Sequence, residues 1–79
     1  MKPLSWNLGK NLKLKLERGV GFEMVVAEVT RRAFRIGEVK SKNHPGQKCF
    51  IVKLNGSMWV VPFKENKNSI YLYTIYGED

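Results

Sequence analysis

Seventy-nine residues with 14 Lys and Arg against 7 Asp and Glu, a net charge of +7 and a pI near 9.8 imply one small basic domain, able to bury only ~60% of its unfolded surface. The single Cys49 excludes an internal disulfide, no run approaches membrane-spanning length, and no charged and apolar leader opens the chain, so a reducing cytoplasmic setting is expected. Such a charge favours nucleic acid, an anionic membrane surface or an acidic protein segment as partner, the plainer alternative being that it maintains solubility.

Pro3, Leu4, Ser5 and Trp6 predict a short extended segment at a sheet edge, because proline donates nothing to a strand ladder. Asn7 reads as the N-cap of a first helix. In it Leu8, Leu12 and Leu16 fall four apart on one stripe, with Lys10, Lys13, Glu17 and Arg18 elsewhere, and Gly19 ends it. Gly21 opens a second helix, where Phe22, Val25, Val26 and Val29 recur at i, i+3, i+4 and i+7 as far as Thr30 or Arg31. Glu23 at its start and Arg31 and Arg32 at its end suit the helix dipole. Leu12, Leu16, Phe22, Val25, Val26 and Val29 are expected to lie together across one face of a sheet.

Residues 34–39 alternate apolar and polar and predict a strand or an irregular edge segment, and the polar residues 40–47, with Asn43, Pro45 and Gly46, a surface loop. Residues 48–76 hold three apolar runs, Lys48–Leu54, 57–64 and 70–76, separated by Asn55-Gly56 and by the polar loop 65–69. Asn-Gly between apolar runs predicts a two-residue hairpin turn with positive φ at both positions, and the whole a β-meander. Both parities of these runs are apolar, so helices are expected on one face and further cover, a partner chain among the options, on the other. The fold class is α+β: two short N-terminal helices packed on a twisted, mainly antiparallel sheet, in one domain over residues 1–79.

The densest basic segment holds Arg31, Arg32, Arg35, Lys40, Lys42 and Lys48 against the lone Glu38. Such groups can contact phosphates without reading sequence; the alternative is a solvated face. Phe34, Trp59, Tyr71 and Tyr73 interleave with basic residues in a way that allows bases to stack, although core packing accounts equally for most of them and is favoured for Trp59 and Phe63. Among Tyr71, Tyr73 and Tyr76, at least one hydroxyl should reach water or a partner.

Metal-independent RNA cleavage needs a base for the 2′-hydroxyl, cations for the charge developing on phosphorus and an acid for the departing 5′-oxygen. His44 is the one side chain of a type that exchanges protons near neutrality, and its alternative is an exposed bystander in a loop. Lys48, Lys53, Lys64, Arg35 and Tyr73 are candidates to supply charge or protons, and Glu65 a base. One His and one Cys cannot build a zinc site, and neither a phosphate-cradling glycine motif nor a serine nucleophile elbow is present, so no metal or cofactor is expected. Cys49 is expected to be a buried, inert thiol.

Leu4-Ser5-Trp6-Asn7 with Lys10-Asn11, then Glu17-Arg18-Gly19-Val20-Gly21-Phe22-Glu23, resembles the opening pattern of BrnT-type toxins of bacterial type II toxin–antitoxin systems. His44-Pro45-Gly46-Gln47-Lys48, Val60-Val61-Pro62-Phe63-Lys64-Glu65-Asn66 and Tyr73-Thr74-Ile75-Tyr76 are similar to a subgroup of them, so the likeness spans residues 4–76. It implies a RelE-like fold and a ribonuclease that blocks translation, neutralised by a cognate antitoxin carrying a ribbon-helix-helix DNA-binding part. Lys48, Lys64 and Arg35 would then contact phosphate within one shared concavity, His44, Glu65 and Tyr73 would be proton-transfer candidates, and Arg31, Arg32, Lys40 and Lys42 would extend the RNA-binding surface. Gly21 stands where the family usually has a Ser cap. Gly77-Glu78-Asp79 stands where similar proteins continue with an Arg-bearing segment and often a final helix. A catalytically weak or inactive module, binding RNA or protein through the same surface, is therefore the alternative expectation.

Overall fold

The structure, a computed structural model, describes residues 1–78. In chain order it comprises β1 (Leu4–Ser5), α1 (Leu8–Arg18), α2 (Phe22–Thr30), β2 (Phe34–Glu38), β3 (Lys48–Leu54), β4 (Ser57–Glu65), β5 (Ile70–Leu72) and β6 (Tyr76–Gly77). Both helices lie on one face of a mixed, six-stranded sheet of order β1-β5-β4-β3-β2, with β6 also paired to β4. Only the β1–β5 pair is parallel.

The β3–β4 hairpin turns at Asn55 and Gly56, with φ of 51° and 83°, the positive pair a type I′ turn requires. The third run of the meander is not one strand. β5 pairs with Phe63, Lys64 and Glu65 of β4, β6 pairs with Trp59 and Val60, and residues 73–75 bulge between them. Pro62 accounts for the interruption. Its carbonyl accepts from the Tyr73 N–H at 2.9 Å, so its missing N–H falls on that same edge, where the bulge needs no donor.

Alternation along the strands sorts the sheet into two faces. Phe50, Val52, Leu54, Val61, Phe63, Ile70 and Leu72 point toward the helices and pack on Leu14, Val20, Phe22, Val25 and Val29. Cys49, Ile51 and Val60 form a smaller cluster on the opposite face, covered partly by Val39 and Tyr76. The chain thus supplies some of the second cover itself.

The stripe of α1 is inverted with respect to the expectation. Leu8, Leu12 and Leu16 are 80%, 61% and 79% exposed, while Asn11 and Leu14 are the buried residues of α1. Val26 is only half-buried. The cause is a polar junction between the helices. Gly21 has no side chain to cap α2, and Asn11 does so in its place, its Oδ1 accepting from the Phe22 N–H at 2.7 Å. The Asn11 amide donates to Glu23 at 2.8 Å, and Lys15 donates to the same carboxylate at 2.9 Å. Arg18 then donates to the Ile75 carbonyl at 2.5 Å, so the inward row is Asn11, Leu14 and Arg18, at i, i+3 and i+7. Asn7 caps α1 through Lys10 N–H at 2.8 Å, and Gly19 closes it at φ 70°.

Asn11→Ala is expected to lower unfolding stability by about 1–3 kcal/mol, since the Phe22 N–H loses its partner in a buried site; urea denaturation measures it. The bonds from Lys15 and Asn11 hold the Glu23 carboxyl below its ordinary range. A carboxyl depressed by folding stabilises above its unfolded pKa and loses that contribution as pH falls through the folded one. Glu23→Gln should therefore destabilise the protein at neutral pH and narrow its difference from the parent in acid.

Candidate functional site

Seven of the residues expected to act on RNA, His44, Lys48, Lys64, Glu65, Tyr73, Arg35 and Lys40, line three neighbouring clefts. The first, ≈ 440 Å³, is lined by His44, Pro45, Gly46 and Gln47 from the β2–β3 loop, by Lys48 at the start of β3, and by Phe63, Lys64 and Glu65 at the end of β4. It brings His44, Lys48, Lys64 and Glu65 together. Lys48 and Lys64 occupy opposite parities of the sheet, Lys48 sharing that of Phe50 and Lys64 that of Val60. They reach one cleft because it opens at the strand ends.

Gln47 fixes this end of the sheet. Its side-chain nitrogen donates to the Lys48 carbonyl at 3.1 Å and to the Phe63 carbonyl, tying the first residue of β3 to β4. Its backbone carbonyl accepts from the Val39 N–H at 2.7 Å, and its N–H donates to the His44 carbonyl at 3.2 Å, which closes the loop bearing the imidazole. Gly46 has φ 76°, a conformation that favours glycine.

Glu65 is held by Lys2, whose ammonium lies 2.8 Å from the carboxylate and donates to the Asn66 carbonyl at 2.7 Å. The hydrogen bond and charge of Lys2, with the Lys48 charge adding to them, keep the Glu65 carboxyl below the usual range. A carboxylate so stabilised is a weaker base. It is better suited to orient a cation than to take a proton from a hydroxyl.

A second cleft, ≈ 560 Å³, adjoins the first through His44 and Gln47, and Lys40, Pro62, Tyr73, Thr74 and Tyr76 also line it. Tyr73 is exposed and meets Tyr71 edge to face, ring centroids 5.4 Å apart. Tyr71 is registered with Lys64. Two phenol rings thus stand beside a cation on the open face. Phe63 is buried, and Trp59 packs against the helix-side core with its Nε1–H donated to the Leu54 carbonyl at 3.1 Å, in keeping with core roles.

Arg35 stands apart from Lys48 and Lys64. It lines a third cleft, ≈ 470 Å³, with Glu38, Lys40, Cys49, Ile51 and Tyr76, and its guanidinium lies 3.6 Å from the Glu78 carboxylate. The expected concavity is therefore shared by two of the three cations, with Lys40 bordering both remaining clefts. Cys49 is 1% exposed, and burial pushes its thiol up. Arg31 pairs with Glu28 at 2.8 Å beyond α2, and Arg32 follows it at φ 62°. Arg31, Arg32, Lys42 and Lys53 are exposed and line none of these clefts.

Lys2 and Gln47 are the site residues that sequence reasoning missed. Lys2 reaches Glu65 only through the parallel β1–β5 pairing, which leaves no local signal. Gln47 carries a signal only in retrospect, as the amide next to the strand start. Among the described residues no group of His, Cys, Asp and Glu could hold a metal ion. Among the described residues, too, no helix is long and apolar enough to cross a membrane. Protein-family models, curated proteins and solved structures yield no match to this chain, so the chemistry rests on the clefts themselves.

Lys2→Ala should release Glu65, and its carboxyl is expected to titrate at higher pH than in the parent, as NMR of the side-chain carboxyl would record. An unmoved titration would mean that Lys2 does not govern this carboxylate.

Proposed function

We propose that the chain is a metal-independent endoribonuclease resembling BrnT-type toxins, built on a RelE-like arrangement and acting on RNA in the bacterial cytoplasm. The observation that carries this reading is the convergence of His44, Lys48, Lys64 and Glu65 on one open cleft. The net charge of +7 and the resemblance over residues 4–76 support it. A cognate ribbon-helix-helix antitoxin belongs to the same proposal.

RNA would lie across the strand ends with one phosphate between the Lys48 and Lys64 ammonium groups. As the 2′-oxygen attacks phosphorus and the 5′-oxygen departs, negative charge grows on the non-bridging oxygens, and two fixed cations stabilise it. His44 is the proton-transfer residue, since Glu65 is held ionised by Lys2. Tyr73 borders the adjoining cleft that His44 also lines, where its hydroxyl can donate to the leaving oxygen or its ring can stack on a flanking base.

A second reading is an RNA- or protein-binding module without catalysis. Two of the candidate groups have intramolecular partners, Glu65 with Lys2 and Arg35 with Glu78, and this favours it.

Purified protein incubated with total RNA in EDTA is expected to cleave it. A Lys48→Ala/Lys64→Ala double variant should slow the reaction by ~10²-fold or more, as removal of one charge-stabilising donor does elsewhere, and His44→Gln by ~10²–10⁴-fold. Cleavage that is absent, or unchanged in the double variant, removes the proposal. RNA binding without cleavage, with a salt dependence that falls by about 0.7 in log–log slope per lysine removed, selects the binding module.

A further inference from the structure

Arg35 and Lys64 stand on the same outward face of the sheet, yet well apart. Register carries Arg35 to Ile51 and Ile51 to Val60, and Lys64 lies four residues farther along β4. The two cations are therefore about 13 Å apart along the strands and about 10 Å across them. One phosphate cannot meet both. The ground between them is continuous, since the first and second clefts share His44 and Gln47, and the second and third share Val39, Lys40 and Tyr76.

The third cleft already holds an anion of its own. The Glu78 carboxylate faces Arg35 at 3.6 Å, too far for a hydrogen bond, so it does not match the planar fork of the guanidinium. Glu78 is fixed through its backbone, whose N–H donates to the Met58 carbonyl at 3.1 Å, beside the β4–β6 pairing. Its side chain can turn away without unpairing β6. An ion pair as open to water as this one contributes little to stability, and so exchanges readily. Arg35 and Lys40 are balanced in the cleft by Glu38 and Glu78. With the Glu78 carboxylate swung out, the cations prevail.

We propose that Arg35, bordered by Lys40, is a second phosphate subsite for a single RNA strand that follows the three clefts, and that the Glu78 carboxylate is a resident anion which this phosphate displaces. The proposal rests on the RNA reading of the first cleft, and it concerns a different phosphate from the one set between Lys48 and Lys64. A phosphate offers the guanidinium two parallel acceptors, which the carboxylate at its present distance does not. The freed carboxylate takes up a cation from solution, offsetting the one that the RNA releases. In the parent, Arg35 therefore adds little to the salt dependence of binding.

A fluorescent single-stranded 2′-O-methyl oligoribonucleotide, which lacks the attacking hydroxyl, reads binding apart from cleavage. Glu78→Gln is expected to tighten its binding about fivefold at about 0.1 M salt and to steepen the log–log salt dependence by about 0.7, the value of one further phosphate contact. Glu17→Gln makes the same change in net charge on the exposed side of α1, away from the clefts, and should leave both quantities nearly as they are. Arg35→Ala/Glu78→Gln should cancel the gain. Glu78→Gln binding no tighter than the parent or than Glu17→Gln, or a gain that survives loss of Arg35, would overturn the subsite while leaving the ribonuclease reading intact. A parent that neither binds the probe nor cleaves total RNA would bring down both.

Discussion

The arrangement depends on β4 serving partners on both edges at once. One edge is taken by β3 from Ser57 to Pro62 through the Asn55-Gly56 turn, and the other is divided between β5 and β6. Nine residues of β4 thus carry the inward side chains Trp59, Val61 and Phe63 to the helix-side core and the outward Val60 to the second cluster. Pro62 at the division is tolerated because the ladder is already interrupted there. Were the second edge continuous, Pro62 would leave a carbonyl without its donor in the middle of a sheet.

That division also shapes the open side. Beyond Pro62, β4 continues to Lys64 and Glu65 alongside β5, which in turn is flanked by the parallel β1. Lys2 is thereby set beside Glu65. The β2–β3 loop folds over the same end, held by Gln47, and so two lysines of opposite parity meet an imidazole at one rim. Cations placed within the regular part of the sheet have no such freedom. Arg35 shares the face of its register partner Ile51 and stays with the neighbouring cleft.

Much of this was legible from local chemistry. The hairpin, the helix caps at Asn7 and Gly19, the extents of α2 and β3, and the edge position of β1 follow from residues whose backbone preferences are decided within a few positions. The orientation of α1 was not legible, because its two faces compete: three leucines define the stronger stripe, yet the inward side is chosen by the needs of another helix, which Asn11 serves and a leucine could not. The break at residues 73–75 depends on a proline in a different strand. In the site, the grouping of His44 with Lys48 and of Lys64 with Glu65 is partly a matter of sequence adjacency, whereas the meeting of the two pairs, and the neutralisation of Glu65 and Arg35, come from pairings distant in the chain.

The bond from Asn11 to Phe22 has a kinetic corollary. A helix the length of α2 is marginal alone in water, and its first turn has no cap of its own. The side chain that supplies one sits at the end of the first turn of the preceding helix, in place only once that helix has formed and the Gly19 turn has closed. The two segments should therefore order in a single cooperative step, as a helical hairpin laid onto the hydrophobic surface of the β3–β4 ribbon, with no stage at which α2 persists while α1 is coil.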